Sequence, residues 1–443
     1  MIKRAAYTGS LFYAIKHTEE RVEHNKQANQ YYCVKDYFRC EMQFKDIIGQ
    51  APVKHNLVEL VQHNRLSHAL LFLGKEGSGV LSLALAFAQF VVCETVNGKS
   101  QHTIGPSLFG EEPSPSISNK PLATDSCGTC PACAKSQQLV HPDIHFSYPV
   151  VTKKPGTPPI STDYISEWRE FAKSYVYGNV YDWLQFIGAE NKQGNITANE
   201  CNDIIRKLNL KSFESEYKIL ILWMPEYLGN EGNKLLKLIE EPPPNTLFIL
   251  AAENESLVLP TILSRCQLVR IPALETKDVE EALITRNKTA PDTARQVASV
   301  SEGNYREALQ MVQHAEEDWQ SLLRDWLNAM LKTGPIAQTK WVEEISKHGR
   351  EKQKQFLRYF NHLLEQAVRV RVMGGEGHIP EKERDFAERL NKIANIEQQQ
   401  AIIEELDRAA YYIERNANAK ILFHALTIKL YHIIRDKIVF LTD

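Results

Sequence analysis

The chain has 443 residues, enough for roughly two to four domains of ordinary size. It contains 52 Lys and Arg against 55 Asp and Glu, a formal net charge of -3, which argues against a freestanding nucleic-acid binder with a broad basic face. No apolar run reaches the length of about 18 residues that a membrane span needs, and the first residues lack the pattern of a secretory signal. We therefore expect a cytoplasmic, folded protein.

The N-terminal segment differs in character from the rest of the chain. Residues 1–41 are rich in charged residues and tyrosine without a clean hydrophobic period, whereas Met42 opens MQFKDIIGQ, a segment typical of the start of a domain. We predict that 1–41 is an N-terminal extension, with a genuine extra helix as the alternative.

Short apolar runs that alternate with helical patterns predict an α/β domain. Helices are expected over 51–65, over LSLALAFAQFVVC (81–93) and over 229–241, where three prolines follow. Strands buried on both faces and alternating with helices are typical of a parallel sheet with helices on both sides. The predicted strands lie at 69–73, within 141–151, and at 218–223, 246–252 and 267–271.

The remainder is expected to be helical. Residues 277–315 have the pattern of a small helical bundle, and residues 317–443 that of longer amphipathic helices. Two segments interrupt the α/β part. One is a loop rich in Pro, Ser and Gly at 94–126, and the other is an aromatic-rich insertion at about 150–195. The aromatic residues of the second segment are expected in a core or an interface.

The loop after the first strand has the glycines of a phosphate-binding loop without its reactive side chains. In the pattern G-x-x-x-x-G-K-[ST], backbone N–H groups cradle phosphates, the lysine reaches them and the hydroxyl holds Mg²⁺. Here Val80 occupies the lysine position and Leu81 the hydroxyl position. The glycines that keep the loop shape are Gly74, Gly77 and Gly79.

No nearby residue replaces the missing groups in an obvious way. Lys75 lies too early in the loop and Ser82 one residue too late. The acidic pair that holds Mg²⁺ after an apolar strand in such ATPases is replaced by Trp223 and Met224, and Glu226 is displaced by two residues. The sequence favours a structural turn over ATP hydrolysis, and leaves weak nucleotide binding through backbone donors open.

Closely spaced cysteines indicate a metal site. Tetrahedral structural zinc takes four soft ligands, and without a secretion signal such clustering indicates metal before disulfides. Cys93 is the best fourth candidate, with His141 and His145 as runners-up and a set of reduced, buried cysteines as the alternative. Four protein ligands leave no open position for water, so the site is interpreted as structural. The three cysteines that define it are Cys127, Cys130 and Cys133.

Several segments together resemble the subunits of the bacterial replicative clamp loader, an AAA+ machine of DNA polymerase III. The cysteine knuckle also fits this family. The resemblance covers roughly 42–315 strongly and 316–443 only by length and helical character. The matching segments are FKDIIGQ (44–50), RLSHALLFLG (65–74), HPD (141–143), NKLLKLIEEPPPNTLFIL (233–250) and LPTILSRCQ (259–267).

The resemblance implies a domain plan and a role. It implies an AAA+ domain with a zinc knuckle at 42–273, a helical lid at 274–316 and a helical collar for oligomerisation at 317–443. The altered loop favours the delta-prime class, which has no ATPase activity of its own and supports ATP-dependent loading of the sliding clamp onto primed DNA. The implied partners are gamma/tau and delta subunits, and through them the clamp and primer-template DNA, with no membrane.

The resemblance implies roles for two arginines. Arg265, in Ser264-Arg265-Cys266, matches an arginine that the family donates in trans to ATP on a neighbouring subunit, where its planar fork suits phosphate oxygens. Without the flanking motif, a surface salt bridge would be the simpler interpretation. Arg306, in GNYREAL, matches the arginine of the sensor-2 helix.

Two other functions are weighed against this one. An ATP-hydrolysing gamma/tau-type subunit conflicts with the lost lysine and acidic pair, and a zinc-dependent nucleic-acid-binding module conflicts with the net charge of -3. The sequence also departs from the family pattern in the long gap before the cysteine knuckle and in the aromatic insertion.

Overall fold

The computed structural model describes residues 42–97, 123–153, 156–189, 192–313, 319–373, 381–414 and 417–437. The predicted extension at 1–41 and most of the loop predicted at 94–126 lie outside these residues. The chain divides into two compact units, the first ending at Glu307 and the second beginning at Ala308.

A parallel five-stranded sheet forms the centre of the first unit, as the apolar runs predict. Its strands lie in the order β2-β3-β4-β1-β5, and every neighbouring pair is parallel. The first, third and fourth strands are buried along their whole length, whereas the edge strand β5 has both exposed and buried residues. The strands are β1 (Ala69–Gly74), β2 (Ile144–Ser147), β3 (Lys218–Trp223), β4 (Thr246–Ala252) and β5 (Gln267–Ile271).

Helices cover this sheet and continue the chain after it. Their apolar sides form one core cluster with residues from all five strands, and a second with β1, β3 and β4. The helices are α1 (Ala51–Gln62), α2 (Val80–Val92), α3 (Pro131–Gln137), α4 (Ile165–Ser174), α5 (Val180–Phe186), α6 (Ala198–Leu208), α7 (Leu236–Glu240), α8 (Pro260–Leu263), α9 (Thr276–Thr285), α10 (Pro291–Val300) and α11 (Tyr305–Gln313).

The helix predicted over 229–241 is shorter than expected. Tight 3-10 turns occupy Pro225–Leu235, and the backbone at Gly229 has φ 52° and ψ -156°, which no helix tolerates. Only α7 is a regular helix here, and it ends at Glu240 before the prolines, as predicted. Two glycines in GNEGN explain the difference, because glycine has the second lowest helix propensity after proline.

The aromatic insertion is part of the core. Its base is closed by a pair of backbone hydrogen bonds of 3.0 Å between Val150 and Asn195. Inside it, Trp168 stacks on Tyr148 with ring centroids 4.0 Å apart, and Trp183 donates its indole N–H to the Pro149 carbonyl at 2.7 Å. The segment therefore packs its rings inward, against β2 and the end of β3, as a core and not as a ligand-binding surface.

The second unit is helical throughout its described residues, as the amphipathic patterns predict. Trp326 and Trp341 stack at 4.7 Å in its core, and the Trp326 indole donates to the Thr427 hydroxyl at 3.0 Å. None of the described helices in either unit is both long and apolar enough to cross a membrane. The helices of this unit are α12 (Trp319–Asn328), α13 (Pro335–Ile345), α14 (Arg350–Met373), α15 (Glu381–Ile393), α16 (Ile396–Glu414) and α17 (Ala419–Arg435).

Trp183→Ala should destabilise the first unit strongly. Its side chain is fully buried, so the substitution removes ring contacts and the hydrogen bond to Pro149, at a cost of about 3–5 kcal/mol. Phe213→Ala is the control, because Phe213 is 82% exposed and its removal should change stability by less than about 0.5 kcal/mol. Chemical denaturation of the full chain measures both. Equal denaturation midpoints for Trp183→Ala and the wild type would show that the insertion is not part of the core.

Candidate functional site

The glycine loop connects β1 to α2 and is packed against side chains of the protein itself. Gly77 and Gly79 have φ of +73° and +91°, and Gly79 caps α2. A Cβ on Gly77 would lie 1.9 Å from Oδ1 of Asn304, and a Cβ on Gly79 would lie 2.9 Å from Cε1 of Tyr177. Glycine is required at both positions by conformation and by space.

The side chains at the phosphate-binding positions are apolar and buried. Val80 and Leu81 begin α2 and belong to the core cluster beneath it. Ser82 donates its hydroxyl to the Val176 carbonyl at 2.7 Å, and Lys75 is exposed. Neither residue supplies the missing lysine or the missing magnesium ligand.

The end of β3 likewise carries no free carboxylate. Trp223 is buried in the aromatic core, and Met224 adopts a left-handed backbone with φ 59°. Glu226 accepts hydrogen bonds from the backbone N–H groups of Glu253 at 2.6 Å and Asn254 at 2.8 Å. Burial raises the pKa of the Glu226 carboxyl. This side chain therefore ties the loop after β3 to the loop after β4.

Arg306 lies beside the glycine loop in a buried ion cluster that we call the Arg306 cluster, formed with Asp182 and Glu76. Its Nε and Nη2 bind the two oxygens of Asp182 at 2.5 and 2.7 Å, and its Nη1 binds Glu76 Oε1 at 3.0 Å. Asn179 also donates to Glu76, at 3.0 Å.

The sequence points to Arg306 but to neither of its partners. Asp182 was detectable only as part of a helix cap, since Asn179 and Asp182 form a capping box at the start of α5. Its pairing with an arginine 124 residues later is set by tertiary structure alone.

The four predicted cysteines converge on one point. The sulfur atoms of Cys93, Cys127, Cys130 and Cys133 all lie within 4.8 Å of one another. Tetrahedral zinc with Zn–S bonds of about 2.3 Å separates its sulfurs by about 3.8 Å, and the sulfurs of Cys127 and Cys133 are 3.9 Å apart. Successive backbone N–H groups donate to these sulfurs, from Cys130 to Cys127 at 3.3 Å and from Cys133 to Cys130 at 3.4 Å. The donor set and its spacing therefore fit a zinc ion.

The start of the described chain holds the cysteine loop in place. The Asp125 carboxylate accepts the backbone N–H groups of Phe44 and Lys45, each at 3.0 Å, and Gln43 donates its side-chain amide to the Ser126 carbonyl. Gly128 has φ +73°, and a Cβ there would lie 2.7 Å from Oε1 of Gln43. These contacts position the knuckle from outside the cysteine motif, and the motif gave no sign of them.

Neither histidine proposed as an alternative fourth ligand belongs to the cysteine cluster. The Nδ1 atom of His141 accepts the Asp143 backbone N–H at 3.2 Å, and its Nε2 lies 3.5 Å from Glu214. His145 lies on β2, where burial lowers its pKa to about 4 and keeps the imidazole neutral. The structure thus brings Cys93, and neither histidine, to the other three cysteines.

Arg265 lies at the surface, just before β5. Its side chain is 33% exposed and forms an ion pair with Glu240, the last residue of α7, with Nε 2.6 Å from Oε1. Its Nη1 donates to the Thr261 carbonyl at 2.7 Å and to the Ser264 hydroxyl at 3.1 Å. The guanidinium is oriented by these contacts. Nothing in the sequence indicates Glu240 as its partner.

Comparisons with known proteins agree with the resemblance in sequence. The family model described as DNA polymerase III, delta subunit, matches residues 49–106 and 114–275. The chain is 27% identical over 267 residues to DNA polymerase III subunit delta' of Bacillus subtilis, covering 60% of each chain. It is 25% identical over 334 residues to subunit tau of the same organism, covering 73% of this chain and 46% of tau.

The chain therefore spans less than two thirds of the length of these curated relatives. A solved DNA polymerase III gamma subunit-related protein from Thermotoga maritima aligns over 86% of this chain and 99% of its own, with 14% identity and a TM-score of 0.34. That score is too low to bear on the assignment, which rests on the sequence matches. On those matches, the chain belongs to the family of DNA polymerase III clamp-loader subunits that includes the delta-prime subunits.

Proposed function

We propose that this chain is a delta-prime-type subunit of the clamp loader, one that does not hydrolyse ATP. It works in the cytoplasm within a hetero-oligomer of gamma/tau and delta subunits, and it supports ATP-dependent loading of the sliding clamp onto primer-template DNA during replication. The sequence matches to delta-prime subunits of two organisms support this class.

The observation that carries the proposal is the chemistry of the glycine loop. A phosphate-binding loop needs an ammonium group and a hydroxyl at the first turn of the helix, and an acidic residue at the neighbouring strand end. In this chain Val80, Leu81 and Trp223 occupy those positions, and all three are buried in the core. No small displacement of these apolar side chains creates a magnesium site.

Arg265 is the residue through which the chain would act on ATP held by a neighbour. Its partly exposed guanidinium is oriented by Glu240 and by the Thr261 carbonyl, and surface ion pairs contribute only about 0–1 kcal/mol. Exchange of the Glu240 carboxylate for phosphate oxygens therefore costs little. The planar fork of arginine suits charge on a transferring phosphoryl group.

The four cysteines are proposed to hold a structural zinc ion. Because all four tetrahedral positions are filled by thiolates, no position is left for a water molecule or a substrate. The zinc would fix the segment at 123–133 against the end of α2, where Cys93 lies.

The competing function is that of an ATP-hydrolysing gamma/tau-type subunit. The match to tau favours it, because it extends over more of this chain than the match to delta'. The side chains of the glycine loop oppose it, and the activity of the isolated chain separates the two functions.

The isolated chain should show no ATPase activity above background. Val80→Lys with Leu81→Thr should not create activity, because Trp223 and Met224 still provide no carboxylate. Steady-state phosphate release is the measurement. Turnover that scales with the concentration of the wild-type chain, in a preparation free of other ATPases, would favour the gamma/tau-type function.

The purified chain should contain one zinc ion. Elemental analysis after preparation without chelators is expected to give a ratio near one, and Cys130→Ser should lower both the zinc content and the thermal stability. Cys266→Ser is the control, since Cys266 lies outside the cluster. A ratio near zero in the wild-type chain would contradict a zinc site.

Arg265→Ala should impair ATP turnover by the neighbouring subunit without unfolding this chain. Arginines supplied in trans contribute on the order of 10³–10⁵ in rate at one site, and the bulk loss is expected to be smaller because a ring has several sites. Arg265→Lys should rescue poorly, since it keeps the charge but loses the fork. DNA-dependent ATPase and clamp-loading assays of reconstituted rings measure the effect.

Arg270→Ala is the matched control for this experiment. Arg270 lies on the adjacent β5, is 70% exposed and also pairs with a surface carboxylate, that of Glu255 at 3.5 Å. Rings with this variant should work normally. If rings with Arg265→Ala assemble and work equally well, Arg265 forms a surface salt bridge and nothing more.

A further inference from the structure

The Arg306 cluster lies where the loop after β1, helix α5 and the start of α11 come together. Its guanidinium binds both oxygens of Asp182, and the three side chains are largely buried, with Arg306 at 5%, Asp182 at 8% and Glu76 at 22% exposure. A buried arginine fork with a bidentate carboxylate partner is among the strongest charge-assisted arrangements in proteins.

An arginine in this position would ordinarily be available to an anion. The glycine loop leads into the N-terminus of the 13-residue helix α2, where backbone N–H groups favour phosphate. Guanidinium binds carboxylate and phosphate oxygens with the same fork geometry. In this chain the carboxylates of Asp182 and Glu76 already provide those oxygens to Arg306.

Backbone and side-chain contacts close the same loop. The backbone N–H of Tyr305 donates to the Gly77 carbonyl at 3.3 Å, and Asn304 donates to Glu76 at 3.4 Å. Tyr177 lies against Gly79 and meets Tyr305 edge to face, with ring centroids 5.0 Å apart. The turn before α11 is thus fixed directly on the glycine loop.

The charge of the surroundings also disfavours an incoming phosphate. Glu253 lies in the same neighbourhood, and burial, together with the charges of Glu76 and Glu226, raises its pKa well above the ordinary value. This raised pKa favours the neutral form of Glu253, so the negative charge comes from Asp182 and Glu76, which outnumber the single guanidinium of Arg306. A nucleotide triphosphate would add negative charge where it is already in excess.

We propose that Asp182 and Glu76 take the place of nucleotide phosphates, so that the Arg306 cluster holds the turn at 301–306 closed on the glycine loop without any nucleotide. The missing lysine is then only part of the reason why the glycine loop would bind no nucleotide. The inference rests on the proposed non-hydrolysing role, but it concerns binding and lid closure, which are measured separately from turnover.

Nucleotide binding by the isolated full-length chain tests the proposal. We compare ATP with Mg²⁺ on the wild type, on Val80→Lys/Leu81→Thr, and on the same double variant with Glu76→Gln and Asp182→Asn added. The wild type should show no binding and the double variant weak binding, whereas the quadruple variant should bind on the order of tenfold more tightly than the double variant. Equal binding by the double and quadruple variants would overturn the proposal.

Hydrogen exchange gives a second readout, which does not depend on engineered binding. In the wild type, the backbone amides of 301–307 should be protected equally with and without ATP. Asp182→Asn, or the milder Glu76→Gln if the first variant folds poorly, should speed their exchange. Asp203→Asn is the matched control, since Asp203 is also 8% exposed and pairs with two basic side chains, Arg206 and Lys207.

The outcomes separate this inference from the proposed function. Unchanged exchange in a folded Asp182→Asn or Glu76→Gln variant would overturn the closure. A wild-type chain that binds ATP without turning it over would overturn the closure and leave the non-hydrolysing role standing. A chain that both binds ATP and turns it over would overturn the two together.

Discussion

The parallel sheet, buried on both faces, is the constraint on which the rest of the first unit depends. Because β1, β3 and β4 run in the same direction, their carboxyl ends meet at one edge, and the glycine loop, the Met224 turn and Glu253 meet there. In an ATPase this edge would be occupied by nucleotide and magnesium. Here Glu226 and the Arg306 cluster fill it with contacts inside the protein.

The replacement of polar by apolar side chains explains why this arrangement is stable. Because of Val80 and Leu81, the first turn of α2 is part of the core. Trp223 extends the aromatic cluster of the insertion, and its ring centroid lies 5.2 Å from that of Trp168. A lysine or an aspartate at these positions would be a buried charge, which needs a partner. The insertion also contacts the altered loop directly, since Ser82 donates its hydroxyl to the Val176 carbonyl, 94 residues later in the chain.

Local patterns predicted the parts of the structure that local forces determine. The strands follow from apolar runs, because a strand covered on both faces must be apolar throughout, and the cysteine cluster follows from the spacing of Cys127, Cys130 and Cys133 together with Cys93 at the end of a helix. The short α7 and the salt bridge from Arg306 to Asp182 were missed. The first depends on the backbone angles at Gly229, and the second on a contact between distant segments.

The two arginines show how environment assigns different tasks to the same side chain. Arg306 is buried and shares its fork with two carboxylates, so its removal would leave Asp182 uncompensated, at a cost of about 3–5 kcal/mol. Arg265 is partly exposed, and its pair with Glu240 contributes no more than about 1 kcal/mol. An arginine that must reach a ligand on another molecule can form only weak contacts within its own chain, whereas one that closes a loop needs strong contacts there. The exposed fractions of the two side chains, 33% for Arg265 and 5% for Arg306, agree with the roles proposed for them.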